Sequence, residues 1–305
     1  MTNVKGCLGD PFVHAIYGHT HRNNIVEKYG YKDNTCGFIL GIDDVWTFAN
    51  EKYFRLGVAL GYVHGKTKPF GSLSSTNRVS AGDNMDKLID ELDIDFGRDV
   101  CAVRLFGAYE SFDDKCLKTN IGVILGYNYG RDNLHADFSI LTKEDPMFDT
   151  KFISSGFSLG LELIKNLYAY RGYQFGLWFQ ANYAHVSQYI AVGIPDSFLA
   201  TVIGFNMEKE SFKHADRKFT LSLKAGWEYR IVESFNSNAV SVLTFMNRLN
   251  GPYITSRHPV RNTAVISFRA SQKLNDHWSI VGSYVARFSR DFLAHSLACG
   301  IEYSF

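Results

Sequence analysis

Two side chains near the middle of the chain have the types and spacing of a nucleophile and its base. His185 and Ser187 stand two positions apart in the segment AHVSQ, so a strand would present both on one face. A histidine beside a serine can activate the hydroxyl oxygen for attack on an acyl ester. No asparagine is convincingly placed to orient the imidazole, and a histidine at a polar–apolar boundary commonly serves as an anchor. We therefore expect that the chain is not an enzyme.

Metal or cofactor chemistry has equally little support in the sequence. His14, His19 and His21 are close enough to hold a metal ion adventitiously, but a solvated rim explains them as well. No glycine-rich phosphate loop, HExxH or C-x-x-C spacing occurs. The chain has an odd number of cysteines: Cys7, Cys36, Cys101, Cys116 and Cys299. The last four lie inside or at the edge of apolar strands, and we interpret them as small hydrophobic residues. We predict no cofactor and no metal.

The composition excludes several classes of partner and fold. Lys plus Arg number 32 against 31 for Asp plus Glu, so a net charge of +1 gives no basic field for nucleic acid. Aromatic residues make up 15% and prolines number only 6, which favours uninterrupted strands. No apolar run approaches the roughly 18 residues that a membrane-spanning helix needs. A mean hydropathy of −0.13 remains compatible with strands that are apolar on one face only.

The C-terminal segment LAHSLACGIEYSF shows the pattern most clearly. Phe305, Tyr303 and Ile301 alternate with small or polar residues, which is the period of a strand with one apolar face. About ten residues of such alternation suffice for a strand that spans a bilayer. Chain ends usually fray, whereas a strand that seals a closed sheet is ordered to its end.

The same alternation recurs along the chain and predicts an all-β transmembrane antiparallel up-and-down β-barrel of about 12 strands. The predicted strands are 11–22, 35–43, 53–64, 100–112, 117–130, 153–163, 173–183, 219–231, 239–247, 263–272, 278–289 and 293–305. The ninth alternates poorly. Tyrosine and tryptophan near strand ends fit aromatic girdles at two bilayer interfaces, although cross-strand packing in a soluble sheet is an alternative.

Long and short connections alternate between these predicted strands. The long ones are 23–34, 65–99, 131–152, 188–218 and 248–262, and the short ones are 44–52, 113–116, 164–172, 232–238 and 273–277. Transmembrane barrels sort their connections in this way, with tight turns at the periplasmic rim. Both termini would then lie on the periplasmic side.

The residues on the polar faces are predicted to line the barrel lumen. They include glycines four positions apart and charges of both signs: Gly37, Gly41, Gly57, Gly61, Arg104, Gly122, Gly126, Gly156, Gly160, Glu162, Lys224, Glu228, Arg269 and Arg287. The glycines either leave room for a chain in the pore or relieve crowding where the barrel curves. The mixed charges can pair across the lumen and do not form the single-sign ring of an ion-selective pore.

Three features characterise the sequence: glycine-aromatic strands such as TCGFILGID, FRLGVALGYVHG and SGFSLGLELI, about twelve strands in some 300 residues, and a terminal aromatic residue. In these features the chain resembles the autotransporter β-domain, the translocator of type V secretion. The resemblance covers the chain from about Asp10 to Phe305. It implies an outer-membrane translocator barrel in a Gram-negative-type bacterium that supports export of an N-terminal passenger. It also implies that Phe305, Tyr303 and Ile301 form a C-terminal signal for the barrel assembly machinery.

The expected partners are outer-membrane lipid and lipopolysaccharide, the barrel assembly machinery and a passenger segment in the lumen, with no nucleic acid. Residues 1–10 are interpreted as a short remnant of a longer precursor and 11–305 as the barrel. Two alternatives remain open: a standalone outer-membrane pore or adhesin, with 65–99 and 188–218 as binding loops, and an outer-membrane phospholipase-like enzyme using His185 and Ser187.

Overall fold

All of the regular structure described is β-strand. The computed structural model describes residues 9–22, 30–48, 52–70, 94–113, 116–137, 147–189, 196–213, 217–234, 262–290 and 292–305. The strands are β1 (Asp10–Arg22), β2 (Gly30–Phe48), β3 (Lys52–Phe70), β4 (Ile94–Phe112), β5 (Lys118–Asp137), β6 (Met147–Tyr170), β7 (Tyr173–Tyr189), β8 (Asp196–Lys213), β9 (Arg217–Ser234), β10 (Asn262–Lys273), β11 (Trp278–Ser289) and β12 (Phe292–Tyr303). Within the described ranges, no helix is long and apolar enough to cross a membrane.

The twelve strands form one closed antiparallel barrel in chain order. The first and last strands seal it, in a register that runs from Phe12↔Glu302 to Arg22↔Phe292. Closure leaves no unpaired edge, which is the condition for a sheet to exist in lipid. The predicted fold class and strand number are confirmed.

One part of the predicted strand list is wrong. The segment 188–218, predicted as a long connection, contains β8, and β9 pairs directly with β10. The predicted strand at 239–247 lies outside the described residues. β8 lacks clear alternation because its inward face carries the apolar Ala200 and Val202, both almost completely buried, while Ile203 and Phe205 point outward. Apolar side chains fill the lumen at this height, so both faces of the strand are apolar.

Tight connections join the strands at one rim of the barrel. Between β6 and β7 the turn consists of Arg171 and Gly172, which have φ values of 50° and 79°. Two consecutive positive φ values are typical of a type I′ hairpin turn. The predicted connection 164–172 is too long because β6 continues to Tyr170 through an irregularity between Asn166 and Tyr168, which interrupts the alternation. The β1–β12 register places the start of β1 and the end of β12 at this same rim, called here the short-turn rim.

The outer surface is an apolar belt. Large apolar side chains are exposed on every strand, among them Leu40, Leu60, Leu105, Leu125 and Phe205. Ring contacts occur toward both ends of this belt, such as Trp278 with Tyr303 at a centroid distance of 4.8 Å and Phe157 with Tyr183 at 5.6 Å. The belt with its flanking aromatic residues has the composition of a lipid-facing barrel wall.

The strands β8 and β9 approach closely at a pair of glycines, and this predicts a substitution effect. A Cβ on Gly204 would meet the Ala225 carbonyl oxygen and the Gly226 Cα, which are backbone atoms that cannot rotate away. We expect Gly204→Ala to lower the free energy of unfolding by about 1–3 kcal/mol. The measurement is urea unfolding in lipid vesicles, followed by far-UV circular dichroism.

Gly282 provides the matched control, because a Cβ there has no heavy atom within 4 Å. Gly282→Ala should leave stability unchanged or raise it by about 0.4–1 kcal/mol, since alanine restricts the unfolded chain. Equal effects of the two substitutions would show that the close approach does not limit the β8–β9 pairing.

Candidate functional site: the barrel lumen

The residues predicted to line the lumen lie at positions that alternate with the apolar belt. On β2, Gly37 and Gly41 alternate with the outward Phe38 and Leu40. The other predicted positions also lie on the face opposite the belt: Gly57, Gly61, Arg104, Gly122, Gly126, Gly156, Gly160, Glu162, Lys224, Glu228, Arg269 and Arg287. The structure brings several of them into contact, as described below.

Inward glycines accommodate large side chains from neighbouring strands. A Cβ on Gly41 would meet the ring of Phe12, and one on Gly57 would meet the ring of Phe106. In the same way the Arg104 guanidinium lies over Gly126. These glycines therefore relieve crowding of the lumenal side chains, which was one of the two predicted roles. A Cβ on Gly61 or Gly122 would make only ordinary contacts, with nearest atoms at 3.5 and 3.9 Å.

An ion pair crosses the lumen between β6 and β9. The Lys224 Nζ donates to Glu162 Oε1 at 2.6 Å. The same carboxylate oxygen accepts a hydrogen bond of 3.0 Å from Trp178 Nε1, and the Lys224 ammonium lies 5.5 Å from the centroid of the Trp178 ring. Because β7 and β8 lie between β6 and β9 in the sheet, the contact between Glu162 and Lys224 crosses the interior of the barrel and does not follow its wall.

A buried apolar cluster fills the lumen beside this trio. Trp178 is only 3% exposed and Val202 is 0% exposed, and they pack with Ile164, Val265 and Val285. The five side chains come from β6, β7, β8, β10 and β11, so together they close one part of the barrel interior. The barrel is therefore partly plugged by its own side chains.

Toward the short-turn rim a polar network continues this plug. Lys118 forms ion pairs with Glu110 at 2.8 Å and with Glu208 at 3.1 Å, joining β4, β5 and β8. Next to it, the buried Asn166 receives a hydrogen bond from Asn206 at 3.1 Å and donates one to Gln174 at 2.7 Å. Such satisfied networks rigidify an interior, because the low dielectric strengthens each bond.

Two further carboxylates are paired inside the barrel. Glu228 is almost completely buried and accepts a hydrogen bond of 3.0 Å from Arg287 Nε. Asp43, also buried, pairs with Arg55 on the adjacent strand. Opposite charges thus compensate one another on the inner wall, as a buried charge requires.

A cavity of about 480 Å³ remains beside the β1–β12 seam. Its charged lining consists of three acidic and two basic groups together with one imidazole: Asp43, Glu162, Glu302, Arg55, Arg269 and His14. Glu302 lies 3.5 Å from His14 and 3.9 Å from Arg269. Gly122 and Gly160 widen the cavity on the opposite wall. Its volume lies in the range of a small-ligand pocket.

Sequence reasoning overlooked two large aromatic residues in the lumen, Trp178 and Phe106. Trp178 follows Gly176 and precedes Gln180 on the inward face of β7, and Phe106 stands in the same relation to Arg104 and Ala108 on β4. The alternation of inward and outward positions along each strand therefore indicated the direction of both side chains. They were overlooked because the inner face was expected to be polar.

The C-terminal residues lie at the seam and at the short-turn rim. Ile301 faces outward, and the Tyr303 ring contacts Trp278 and, at 4.9 Å, Phe305. The Phe305 amide donates to Asp10 Oδ1 at 3.1 Å, which ties the C-terminal residue to the start of β1. This geometry is compatible with an assembly signal, which stays a prediction.

Of the proposed nucleophile–base pair, only His185 has a described side chain. Its ring lies 5.3 Å from that of Phe157, at the register position that β6 and β7 share. Near the other end of the β1–β12 seam, the His19 ring lies 5.2 Å from His295, and His19 Nδ1 is 2.6 Å from Asn34 Oδ1. Within the described ranges no three metal-ligating side chains form a group.

The fold is similar to that of three solved autotransporter domains. No protein-family model and no curated protein matches the chain in sequence. The transport unit of the autotransporter AIDA-I from Escherichia coli superposes with a TM-score of 0.70 at 15% identity, over 100% of this chain and 93% of that one.

Two others superpose over similar lengths. The β-domain of the Bordetella autotransporter BrkA gives a TM-score of 0.62 at 12% identity, over 97% of this chain and 99% of that one. The translocator domain of the autotransporter NalP from Neisseria meningitidis gives 0.58 at 12% identity, over 99% and 90%. The chain therefore has the twelve-stranded outer-membrane barrel fold of autotransporter translocator domains, as the sequence resemblance predicted.

Proposed function

We propose that this chain is an outer-membrane translocator barrel that supports export of an N-terminal passenger to the cell surface. The observation that carries the proposal is the superposition of the whole chain on three autotransporter domains, two of which are described as a transport unit and a translocator domain. The similarity extends over almost the entire barrel, including the β1–β12 seam. It therefore supports the proposal more strongly than an equal number of strands would.

The lumen is compatible with this function in one respect. The cavity lies next to Phe12 and His14, just inside the position where β1 begins. A passenger that precedes Asp10 would enter the barrel beside this cavity. The residues of the packed cluster around Trp178 do not line this cavity, so the cavity is the route of least rearrangement.

The proposal includes an orientation and a set of partners. The short-turn rim faces the periplasm, the apolar belt contacts outer-membrane lipid and lipopolysaccharide, and the barrel assembly machinery recognises Ile301, Tyr303 and Phe305. No catalytic role is included. Hydrolysis of an acyl ester by the wild-type protein but not by His185→Ala protein would contradict that part.

Export is tested with a reporter domain fused ahead of Met1 behind a secretion signal. In intact cells the reporter should be cleaved by an added protease while a periplasmic marker is protected. Slower electrophoretic migration after heating, compared with the unheated sample, reports that the barrel has folded. A folded barrel whose reporter stays protected would contradict export and favour a standalone pore or adhesin.

Bilayer conductance separates these outcomes further. A translocator whose lumen is partly filled should show small or infrequent conductance steps, because the Trp178 cluster narrows the pore. Large, steady conductance of the wild-type protein would instead favour the open pore.

A further inference from the structure

Two histidines from opposite ends of the chain meet on the outer face of the β1–β12 seam. His19 is two positions after the outward Tyr17 on β1, and His295 is two positions before the outward Leu297 on β12. They are direct register partners, close to the end of the seam that is opposite the short-turn rim. We call them the seam histidines. Because they lie far apart in the chain, residue spacing gave no sign of the pair.

The two imidazole rings are spaced as two ligands of one metal ion are. Their centroids are 5.2 Å apart and their planes are tilted by 37°. Two imidazoles on one tetrahedral ion, with metal–nitrogen bonds of about 2.0–2.1 Å, also have centroids about 5 Å apart. Both side chains are half-buried at the surface. The backbone spacing of His19 and His295 therefore already suits a shared ion.

A hydrogen bond to β2 selects the tautomer of His19 that can bind a metal. The His19 Nδ1 atom lies 2.6 Å from Asn34 Oδ1. An amide oxygen can only accept, so Nδ1 carries the proton and donates it, and Nε2 keeps the lone pair that a metal ion requires. Metal-binding histidines are commonly oriented in this way, by donation from the second ring nitrogen to an oxygen.

The surroundings of the pair differ on its two sides. On β11, the ring of Tyr284 lies 6.3 Å from that of His295, and the outward positions 284, 286 and 288 carry no charge. On the other side, Lys66 is the partner of Asn34, so Asn34 lies between this lysine and His19. Lys32 lies nearer to the rim. A cation can therefore approach the seam histidines from the β11–β12 side.

We propose that the seam histidines form a binding site for a divalent ion of the late transition metals, such as Zn²⁺, which joins the first strand to the last. Imidazole nitrogen is a preferred ligand of Zn²⁺, Ni²⁺ and Cu²⁺, whereas Ca²⁺ and Mg²⁺ take oxygen ligands. Among the described residues the protein supplies two ligands, and water completes the coordination. A hydrogen bond from Phe305 to Asp10 ties the seam at the short-turn rim. The ion would close its other end.

The test measures Zn²⁺ binding to the detergent-purified barrel, prepared without a histidine tag, by isothermal titration calorimetry. The wild-type protein should bind Zn²⁺ at a site of one ion per chain and should bind Ca²⁺ far more weakly. His19→Gln/His295→Gln should weaken Zn²⁺ binding more than roughly 100-fold, because loss of an outer-shell partner alone commonly costs about 10–100-fold.

Variants of Asn34 test the outer-shell contact. Asn34→Leu should weaken Zn²⁺ binding about 10-fold, because the His19 ring loses the oxygen that fixes its tautomer. Asn34→Asp keeps an acceptor oxygen at this position and should bind Zn²⁺ at least as tightly as the wild type does. Equal affinities of these two variants would contradict a role for the hydrogen bond in metal binding.

Stability provides a second readout. Zn²⁺ should raise the temperature at which the folded barrel changes its electrophoretic migration, since an ion that binds only the folded state stabilises it. EDTA should reverse this shift, and His19→Gln/His295→Gln should not show it. The matched control, His64→Gln/His277→Gln, removes two exposed histidines elsewhere on the barrel. It should keep both the wild-type Zn²⁺ affinity and the shift.

Several results would overturn the proposal. They are equal binding of Zn²⁺ and Ca²⁺ by the wild-type protein, which requires no variant to fold, and equal losses of Zn²⁺ affinity in the two double variants. A seam double variant that is destabilised, together with a wild-type protein that does not respond to Zn²⁺, would show that the rings contribute by packing alone. The assay involves no passenger, so its outcome is independent of the proposed export.

Discussion

Replacing Trp178 by alanine should lower the free energy of unfolding by about 3–5 kcal/mol, as for other large core residues cut back to alanine. Trp178 is buried among Ile164, Val202 and Val265, so truncation leaves a hole that these neighbours cannot collapse to fill. Glu162 loses the hydrogen bond from the indole nitrogen as well. Urea unfolding in lipid vesicles, followed by electrophoretic mobility, measures the change.

The same substitution should open the pore. Because the indole ring and its neighbours close one part of the lumen, its removal should increase both the size and the frequency of conductance steps in a planar bilayer. A destabilised protein with unchanged conductance would show that the cluster is structural but does not narrow the conducting path.

Trp227→Ala is the matched control, because it is the same substitution at a tryptophan on the outer face of the barrel. Trp227 faces outward, is 54% exposed and donates to Asn262 Oδ1 at 3.2 Å. Its truncation should cost less than half as much stability, because lipid replaces the lost contacts, and should leave conductance unaltered. Equal losses at the two positions would contradict a packed lumen.

Breaking the ion pair between β9 and β11 should have the second largest effect. Arg287→Met leaves the Glu228 carboxylate, whose side chain is only 5% exposed, with Arg230 at 3.8 Å as its remaining basic neighbour among the described contacts. We expect a loss of about 2–3 kcal/mol in the free energy of unfolding. Removing one partner of a fully buried pair costs more than that, but Arg287 is 35% exposed and solvent screens part of the interaction.

A double variant separates charge from packing. Glu228→Gln/Arg287→Met removes the uncompensated charge, so it should be more stable than Arg287→Met alone. Arg269→Met serves as the control, because Arg269 is 54% exposed and lies 3.9 Å from Glu302. Its loss should be about 0–1 kcal/mol, the range of an exposed pair. A double variant no more stable than the single one would contradict the assignment to electrostatics.

The prediction of strands from alternating polar and apolar residues failed where the inward side chains are apolar. β8 escapes detection because Ala200 and Val202 are buried inside the barrel, so its inner and outer faces are both apolar. The end of β6 escapes detection for a related reason: Ile164 is buried in the same cluster, and the irregularity near Asn166 shifts the phase. Both errors fall on the strands that build the plug.

The individual lumenal contacts were also beyond sequence reasoning. The alternation along each strand assigned Glu162, Lys224 and Glu228 to the inner face. It could not identify the residues with which they pair. Glu162 meets Lys224 across two intervening strands, and that pairing depends on barrel diameter and strand stagger. Neither quantity can be obtained from one chain's pattern of polar and apolar residues.

The sequence by itself determined the class of fold, the direction of most side chains and the closure of the C-terminal strand onto the first. These properties follow from local alternation, because a period of two assigns each residue to a face whatever its distant neighbours are. Only the tertiary structure decided that the lumen is partly filled and that Glu162 meets Lys224 across two intervening strands. Both depend on which residues of different strands stand at the same height, and that register is set by pairing and stagger around the whole closed sheet.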